Sequence, residues 1–575
     1  MYPLENAKNN IKIILEKILK DLKCKTDVKL EIPKDAGMGD FAFPCFQLAP
    51  SLKKSPNEIS QDIKSKIKKD EWIKKIETKN GYVNFFLDEI KINKETLGII
   101  IEKKEKYGYH KTKNKKLIVE HTSANPNGPL HVGRARNPII GDTIVRISKA
   151  AGYNVESQFY LDDMGKQVAI LFWGIKNIKE SEIAKPNCKK PDHKAVGFYQ
   201  KANSLLEENS DISDEIQDII KRSEEGDKKT IDDMKKAYDP VLKGMKESLE
   251  RINITIDSYI PESRFVKDKS VDKVVKNLKE SKFTETEDGA YYIDMKNFGI
   301  EGRNTKFFFL RKDGTTLYAT RDIAYHLWKA DQADILVNIL GEDHKLESKQ
   351  VETALKLVKA KLVPNVIFYS FVSLPGGKMS TRKARVVYLD DLIDECVNRA
   401  YMEVEKRRGK ELTKEKMKEI SEYVGIGALR YNIIKVQPEK SIVFKWDEAL
   451  NFEGNSAPFI QYAHARASSI LSKNKDKLDD IDPELLTHES ETRLIKKIAE
   501  FPERIKQANI EFKPHLIASY LFELASQFNQ FYRDCPVLSE EKKKVKIARL
   551  FLVKSTKITI KNGLSLLGIA SPDEM

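Results

Sequence analysis

The chain has 575 residues, with 101 lysines and arginines against 87 aspartates and glutamates, so its formal net charge is +14. This length is too great for one ordinary domain and fits roughly three or four. A hydrophobic fraction of 40% excludes a disordered chain. The positive excess fits either a lysine-rich surface or a polyanionic partner.

The cysteine pattern restricts the class of protein. None of the five cysteines forms a C-x-x-C pair, which argues against a zinc ribbon and against a secreted disulfide scaffold. Cys188 and His193 form a single Cys/His pair that chance explains better than a metal site. No apolar segment follows a basic start, and no apolar run reaches the roughly 18 residues of a membrane span. We therefore expect a reduced cytoplasmic protein with no structural metal and no membrane association.

Residues 1–112 predict a small α/β domain. Apolar residues recur near a spacing of 3.6 over 6–22, which indicates a helix. GYVNFFL (81–87) is typical of a strand, and a further helix is predicted from about Asn93 to Tyr107. The lysine-rich segment 109–116 is a plausible linker to the next domain.

Residues 113–454 predict a Rossmann-like domain with a parallel sheet. KLIVEHT (116–122) and NVESQFYL (154–161) are strand patterns that each precede a helix. Residues about 175–305 are polar and mostly helical, with a strand-like piece GAYYIDM, and are predicted as an insertion. The sheet is expected to resume at KFFFLRKDG and TLYAT and to continue through ADILVNILG (333–341) and VIFYSFVSL (366–374).

From about residue 393 the pattern is helical almost throughout. APFIQYAHARASSIL (457–471) has clear helical spacing of apolar residues. We predict a separate all-α domain over 455–575.

The first motif, EHTSANPNGPLHVGRARN, follows the first strand of the predicted sheet and opens a helix. Its Pro/Asn/Gly turn exposes backbone N–H groups, and a helix N-terminus attracts anions. His131 and Arg134 lie one turn apart, so together they can bind a polyphosphate and stabilise charge on phosphorus. Gly133 lets a flat ring lie against the backbone. An ordinary loop–helix junction is the alternative.

The second motif, GGKMSTRKARVVYLDD, contains a glycine-led basic loop over 376–385. It holds several cations and hydroxyls: Lys378, Ser380, Thr381, Arg382 and Lys383. Mobile cations of this kind can close on β- and γ-phosphates as charge moves to pyrophosphate. A solvated basic loop is the alternative. With the first motif, it predicts a nucleoside triphosphate site that is neither a P-loop nor a protein kinase site.

HVGR after a strand, followed by KMSTR, resembles the signature pair of class I aminoacyl-tRNA synthetases. YLDDMGKQ (160–167), TLYATRDIAYH (316–326) and GKMSTRKARVVYLDDL are similar to the catalytic blocks of the arginyl-tRNA synthetase family. QYAHAR (461–466) and GLSLLGIASPDEM resemble its anticodon-binding domain, and GDFAFPCFQLA with GYVNFF its N-terminal domain. The resemblance covers nearly the whole chain in the family's order.

The resemblance implies an arginine–tRNA ligase. Arginine would attack the α-phosphate of ATP, which arrives with Mg²⁺, to give arginyl-adenylate and diphosphate. Transfer to the 3′ end of tRNA-Arg would then release AMP. No side-chain nucleophile is required, and bound tRNA is expected to be needed for the first step. We expect a monomer.

The resemblance also implies an arginine pocket. Glu120, Tyr318 and Asp322 match positions that line the pocket for the guanidinium group, and Asn125 matches the position that holds the α-amino end. Glu120 could instead cap the next turn, Tyr318 could be core, and Asp322 could pair with Arg321. The occurrence of all four residues in matching blocks favours the pocket.

The ATP site is implied by His131, Gly133 and Lys378 of the two signatures. Asp343 and His344, in the GEDH segment after a buried strand, are predicted to line the adenosine side, because α/β folds bind ligands at the carboxyl ends of strands. A plain strand-to-helix turn with an acidic cap is almost as good an explanation of GEDH.

The chain departs from the class pattern at two positions. Arg134 stands where class I enzymes at large often have histidine. Thr381 stands where the second signature usually has its second lysine, and Arg382 and Lys383 are the candidates to supply that charge.

The net charge of +14 fits contacts with tRNA phosphates, whose strength depends on salt. Tyr462 and Met575 match family positions near the anticodon loop, although Tyr462 as helix core and Met575 as a frayed end stay open. Asn84 and Phe86 belong to a domain similar to one that touches the tRNA elbow.

Two rival functions remain at this point. One is a class I synthetase for another amino acid, which the pocket residues Glu120, Tyr318 and Asp322 disfavour. The other is an RNA-binding protein that has lost catalysis, which the intact HVGR signature disfavours.

Overall fold

The structure is a computed structural model that describes residues 1–24, 26–33, 35–68, 70–186, 188–301, 305–373, 387–478 and 482–575. Most of the second motif lies outside the described residues. The predictions for Lys378, Ser380, Thr381, Arg382 and Lys383 therefore have no structural counterpart.

The N-terminal region is a three-stranded antiparallel sheet in the order β1-β3-β2, covered by helices. Its elements are α1 (Pro3–Asp21), β1 (Phe41–Pro44), α2 (Ala49–Leu52), α3 (Pro56–Lys66), β2 (Ile73–Lys79), β3 (Tyr82–Leu87) and α4 (Glu89–Lys103). The predicted first helix and aromatic strand are confirmed. Helix α4 begins earlier than predicted because the Asp88 carboxylate caps it, accepting the Lys91 N–H at 2.9 Å.

The central region alternates strands and helices. Its first half comprises β4 (Lys116–Glu120), α5 (Arg136–Ala150), β5 (Asn154–Leu161), α6 (Lys166–Asn177), α7 (Pro191–Glu208), α8 (Ser210–Glu224), α9 (Lys228–Arg251), β6 (Ser258–Pro261), α10 (Ser263–Lys267) and α11 (Ser270–Lys279). Its second half comprises β7 (Thr284–Glu287), β8 (Ala290–Asp294), β9 (Lys306–Leu310), α12 (Tyr318–Ala330), β10 (Ile335–Gly341), α13 (Lys345–Leu357), β11 (Asn365–Tyr369) and β12 (Val372–Ser373).

Five of these strands form a parallel sheet in the order β11-β10-β4-β5-β6. Strand β4 lies in the middle, and its last four residues, 117–120, are buried. A short apolar run buried on both faces is what a central parallel strand requires. The predicted Rossmann-like sheet is thereby confirmed, with helices on its faces.

The predicted insertion over about 175–305 needs correction. Strand β6, inside that segment, is the fifth strand of the parallel sheet and pairs with β5. Strand β9, expected in the parallel sheet, instead joins β7 and β8 in an antiparallel sheet, where Tyr292 lies opposite Phe308. The TLYAT segment is not a strand, because α12 begins at its tyrosine. Apolar pattern alone does not tell which sheet a short strand will join.

The remainder of the chain is almost entirely helical, as predicted. It contains α14 (Leu389–Arg408), α15 (Lys414–Ile434), β13 (Ile442–Val443), α16 (Trp446–Ala449), α17 (Ala457–Lys473), α18 (Glu489–Ala499), α19 (Phe501–Glu511), α20 (His515–Asp534) and α21 (Lys543–Leu566). One hydrophobic core continues from the central region into this helical bundle. Within the described ranges, none of the helices combines the length and the apolar character needed to cross a membrane.

Candidate active site

The turn after β4 has an unusual backbone. Thr122 and Ser123 have φ angles of 72° and 34°, in the left-handed region that side chains other than glycine rarely adopt. The Thr122 N–H donates to Asn137 Oδ1 at 2.6 Å, and Asn137 Nδ2 donates to the Ile339 carbonyl at 2.9 Å. The Ser123 hydroxyl accepts the Tyr160 N–H at 3.1 Å. Bonds to two neighbouring strands and to α5 therefore hold a strained turn, which is typical of a functional site.

His131 stands at the end of this turn, before the 3-10 turn Val132–Arg134. Its Nδ1 accepts the Gly133 N–H at 3.0 Å, so the ring proton is on Nε2. Burial and the nearby Arg134 guanidinium lower the pKa of His131. The imidazole is therefore a neutral donor at physiological pH, and the exposed Arg134 supplies the positive charge.

The described residues on both sides of the segment 374–386 lie against the first motif. The Val132 N–H donates to the Val387 carbonyl at 3.1 Å, and the Leu389 N–H donates to the Leu130 carbonyl at 2.8 Å. On the other side of the segment, β12 packs against the Val132–Arg134 turn. The end of the second motif that the structure describes therefore lies against the turn that contains His131.

Glu120 closes β4 and is buried. Its Oε2 accepts from the Lys329 ammonium at 2.8 Å, and its Oε1 accepts weakly from the Ser123 hydroxyl at 3.3 Å. The carboxylate does not simply cap the next turn, because its shorter bond is to a buried lysine of α12.

Asp322 lies on the same helix as Lys329. Its Oδ1 is 3.1 Å from His326 Nδ1. Burial acts to raise the pKa of Asp322, but the His326 contact outweighs burial and holds the pKa below its usual value. Arg321 donates to Glu262 at 2.7 Å and is 3.2 Å from a second glutamate on α8. The alternative in which Asp322 pairs with Arg321 is therefore wrong.

The other two predicted pocket residues are accessible. Tyr318, the first residue of α12, is 59% exposed, so it is not part of the core. Asn125 is half-buried in the turn after β4, and its carbonyl accepts the Asn127 N–H at 2.9 Å.

Asp343 and His344 form a 3-10 turn after β10, the strand beside β4. His344 Nδ1 lies 2.9 Å from Glu347 Oε2, and this hydrogen bond raises the pKa of His344. The acidic residues of this turn are exposed. Their position at the carboxyl edge of the sheet fits the predicted adenosine side. The turn geometry also fits the alternative, a plain strand-to-helix turn with an acidic cap.

Sequence reasoning missed a buried cluster at the start of α14, four residues after the undescribed segment ends. Asp390 accepts from Lys190 Nζ at 2.8 Å and lies 3.0 Å from His193 Nε2. Asp192, His193 and Asp390 are close enough to one another to hold a metal ion. The Lys190 ammonium already supplies a cation to Asp390, so the cluster fits an ion-pair anchor between α7 and α14. Lys190, one of two lysines between Cys188 and His193, was its sequence signal.

The predicted tRNA contacts differ in accessibility. In the N-terminal sheet, Asn84 is only 3% exposed on the central strand, whereas Phe86 is half-buried with the Lys75 ammonium 5.3 Å from its ring centre. In the helical region, Tyr462 is 42% exposed, with the Arg466 guanidinium 4.8 Å from its ring centre. Tyr462 is therefore not helix core.

Met575 is held in place. It packs against the apolar cluster between α14 and α15, and Arg408 donates to its carbonyl. Arg408 is also 3.1 Å from Glu574. The chain end is therefore anchored on the helices that follow the second motif.

Comparison with known families assigns the chain in three consecutive parts. Residues 5–87 match the arginyl tRNA synthetase N terminal domain, residues 96–446 match the catalytic domain of tRNA synthetases class I (R), and residues 460–575 match the DALR anticodon binding domain.

Individual relatives agree with this assignment over 92% or more of their length. The chain is 47% identical to an arginine–tRNA ligase of Methanocella arvoryzae over 92% of both chains. It is 40% identical to that of Methanothermobacter thermautotrophicus over 100% of both. The arginyl-tRNA synthetase of Thermus thermophilus superimposes with a TM-score of 0.84 at 27% identity, covering 99% of this chain and 100% of the other. The carboxylates, the HVGR turn and the three matched regions together identify the chain as a member of the class I arginyl-tRNA synthetase family.

Proposed function

We propose that this protein is an arginine–tRNA ligase that uses ATP to activate L-arginine and then charges tRNA-Arg. The observation that supports the proposal is the buried chain of side chains that joins Glu120, at the end of the strand that precedes the HVGR turn, to Asp322. A guanidinium needs planar acceptors and a triphosphate needs donors, and both sets lie around the carboxyl ends of β4 and β10.

ATP binds as its Mg²⁺ complex, in which the ion is part of the substrate. The Nε2–H of His131 and the guanidinium of Arg134 face a phosphate chain as donors, and Gly133 leaves room for the adenine ring. Lys378 and Ser380, with Arg382 or Lys383 in the role of the missing second lysine, neutralise the departing diphosphate. Asp343 and His344 line the adenosine side. Catalysis is positioning and charge stabilisation, with no covalent enzyme intermediate.

Arginine binds with its guanidinium between Glu120 and Asp322, its stem along Tyr318 and its α-amino group at Asn125. The carboxylate of arginine attacks the α-phosphate, and the terminal ribose hydroxyl of tRNA then attacks the acyl carbon. The ammonium group of a lysine substrate cannot satisfy two fixed carboxylates in the way that the planar guanidinium of arginine does. Each buried acceptor left unpaired costs on the order of 1–3 kcal/mol, so lysine is rejected.

tRNA-Arg binds across all three regions, divided as 1–112, 113–454 and 455–575. Tyr462, stacked with Arg466, and Met575 contact the anticodon end, where unpaired bases are read by stacking. Phe86 and Asn84 contact the elbow; the burial of Asn84 makes Phe86 the better candidate for direct contact. The protein acts as a cytoplasmic monomer.

Amino-acid-dependent exchange between ATP and diphosphate tests the proposal. We expect exchange with arginine alone among the standard amino acids, and only when tRNA-Arg is present. Exchange with another amino acid would point to a different class I specificity. The absence of exchange with every amino acid, even with tRNA, would favour an RNA-binding protein without catalysis.

A further inference from the structure

Helix α12 presents three ionisable side chains to the sheet. Asp322, His326 and Lys329 are spaced four and three residues apart, so they share one face of the helix. Lys329 is completely buried, and His326 is nearly so. A completely buried ammonium is costly unless it is paired, so its partners carry information about its role.

The partners of Lys329 come from two neighbouring strands. Its ammonium donates to Glu120 Oε2 at 2.8 Å and to Asn338 Oδ1 at 2.9 Å. Asn338 of β10 lies directly opposite Glu120 of β4 in the parallel sheet. The ring of Tyr325 lies 4.4 Å from the ammonium and covers it. The Lys329 ammonium therefore forms a buried ion pair with the Glu120 carboxylate.

The position of the Lys329 ammonium determines which atom donates in each of the following hydrogen bonds. Because Asn338 Oδ1 faces Lys329, its amide nitrogen is the group 2.7 Å from His326 Nε2, and it donates there. His326 must then carry its proton on Nδ1, which lies 2.8 Å from the Asp322 main-chain carbonyl and 3.1 Å from Asp322 Oδ1, so this donor is shared between the backbone and the carboxylate. The three side chains form one chain of donors that ends on Glu120 at one side and on Asp322 at the other.

The two ends of this chain are the two carboxylates that the proposed function assigns to the substrate guanidinium. The Asp322 side chain is 30% exposed, whereas every member between the two ends is buried. Packing alone does not require the intervening residues to be polar, because apolar residues of similar volume would fill a core at lower cost. The chain is suited to hold two carboxyl groups in fixed orientation.

We propose that Lys329, Asn338 and His326 are positioning residues that keep Glu120 and Asp322 aligned as a rigid pair of acceptors for the guanidinium of arginine. This inference rests on the proposed arginine pocket and adds residues that do not touch the substrate. Its distinguishing consequence is a loss of arginine binding, without a loss of ATP binding, when the cation is removed.

The test is steady-state exchange kinetics of Lys329→Met, with KM measured separately for arginine and ATP. Without the ammonium, the Glu120 carboxylate loses the donor that orients it. We expect the arginine KM to rise about tenfold. The ATP KM should stay unchanged, and Lys329→Arg should largely restore arginine binding.

Two variants distinguish the relay, which is the hydrogen-bonded chain of Lys329, Asn338 and His326, from the arginine pocket itself. Glu120→Gln should raise the arginine KM, and adding Lys329→Met to it should raise the arginine KM little further. If Glu120→Gln leaves the arginine KM unchanged, the pocket assignment fails. If Glu120→Gln raises it but Lys329→Met shows either a wild-type arginine KM or equal rises in the KM values for arginine and ATP, the relay is overturned.

A third variant covers the case in which Lys329→Met does not fold. Asn338→Ser breaks the middle of the relay and keeps the ion pair of Lys329 with Glu120. It should raise the arginine KM about threefold to tenfold with little change for ATP; an unchanged arginine KM would overturn the relay. Lys497→Met is the matched control, because Lys497 is also a buried lysine paired with glutamates, in α18. It should leave both KM values unchanged.

Discussion

Two of the completely buried cations, Arg430 and Lys329, differ in where their partners lie. Arg430 of α15 donates to the main-chain carbonyls of Leu567 at 2.7 Å and Ile252 at 2.6 Å, and to Asp142 at 2.5 Å. Those partners belong to the end of α21, the end of α9 and the middle of α5. Lys329 instead donates to side chains on two adjacent strands. Arg430 joins segments that are distant in sequence, and Lys329 orients side chains at one edge of a sheet.

The surroundings of Arg430 confirm a closed arrangement. Gly568 has a φ of 67°, and a Cβ there would lie 2.3 Å from the Arg430 guanidinium. The chain turns closely over the side chain after α21 and leaves it no access to a ligand. The difference teaches that a buried charge satisfied by main-chain carbonyls and an enclosed carboxylate stabilises architecture. A buried charge that ends on carboxylates at the edge of a parallel sheet is a candidate for a role in binding.

The largest effect is expected from Arg430→Met. This change leaves the Asp142 carboxylate buried with one cation fewer and leaves two carbonyls without their donor, which should lower the free energy of unfolding by about 3–5 kcal/mol. Thermal and urea unfolding measure the loss. The ratio of the arginine KM to the ATP KM should not change.

The matched control for Arg430 is Arg146→Met. Arg146 is the other cation on Asp142, but its side chain is 28% exposed. It should cost no more than about 1 kcal/mol. Equal losses for the two variants would contradict the distinction between a closed internal cation and a surface one.

The next largest effect is expected from Asp322→Ala, on binding rather than on stability. Loss of a carboxylate that pairs with the guanidinium should raise the arginine KM by on the order of ten- to a hundredfold, because hydrogen bonds to charged groups are worth about 1.5–3 kcal/mol. The ATP KM should change little. Asp331→Ala, at the exposed end of the same helix, is the control. An unchanged arginine affinity in Asp322→Ala would remove Asp322 from the pocket.

The sequence analysis singled out the two ends of this hydrogen-bonded chain and missed its middle. Glu120 and Asp322 stood out through family motifs, whereas Lys329 lies three residues beyond the block that ends at His326. The register that sets Asn338 opposite Glu120 was not visible in the sequence, because strand pairing depends on the whole sheet. This is why a lysine in an apolar helix pattern gave no sign of its partner.

The fold shows the same limit. Long helices and the buried strands β4, β5 and β10 were predicted from apolar pattern, since each has enough residues to express its period. Strand β6 has four residues, Ser258–Pro261, and lies between polar helices, so it was taken as part of an insertion. The aromatic run of β9 was recognised as a strand but assigned to the wrong sheet, because its antiparallel partner β8 is what decides its place.

A smaller effect, on stability at acid pH, is expected at Asp390. This residue shares one feature with each of the two kinds of buried charge. It is buried in an ion-pair cluster, as Arg430 is, yet it follows the second signature, as a binding element would. Burial acts to raise the pKa of Asp390, but hydrogen bonds from His193 and Lys190 outweigh it and lower the pKa to about 2. The usual value for aspartate is 3.8. The carboxylate therefore stabilises the fold above about pH 4, and this contribution is lost as pH falls toward 2.

Asp390→Asn should lower the thermal midpoint at pH 7 and flatten its decline between pH 4 and pH 2, compared with the unchanged chain. Asp394→Asn, one turn further along α14, removes an exposed pair with Arg251 and should do neither. If Asp390→Asn also raises the ATP KM while Asp394→Asn does not, the cluster belongs with Lys329 as support for a binding element. If only stability changes, it belongs with Arg430, because an anchor that holds α14 against α7 need not affect the bound nucleotide.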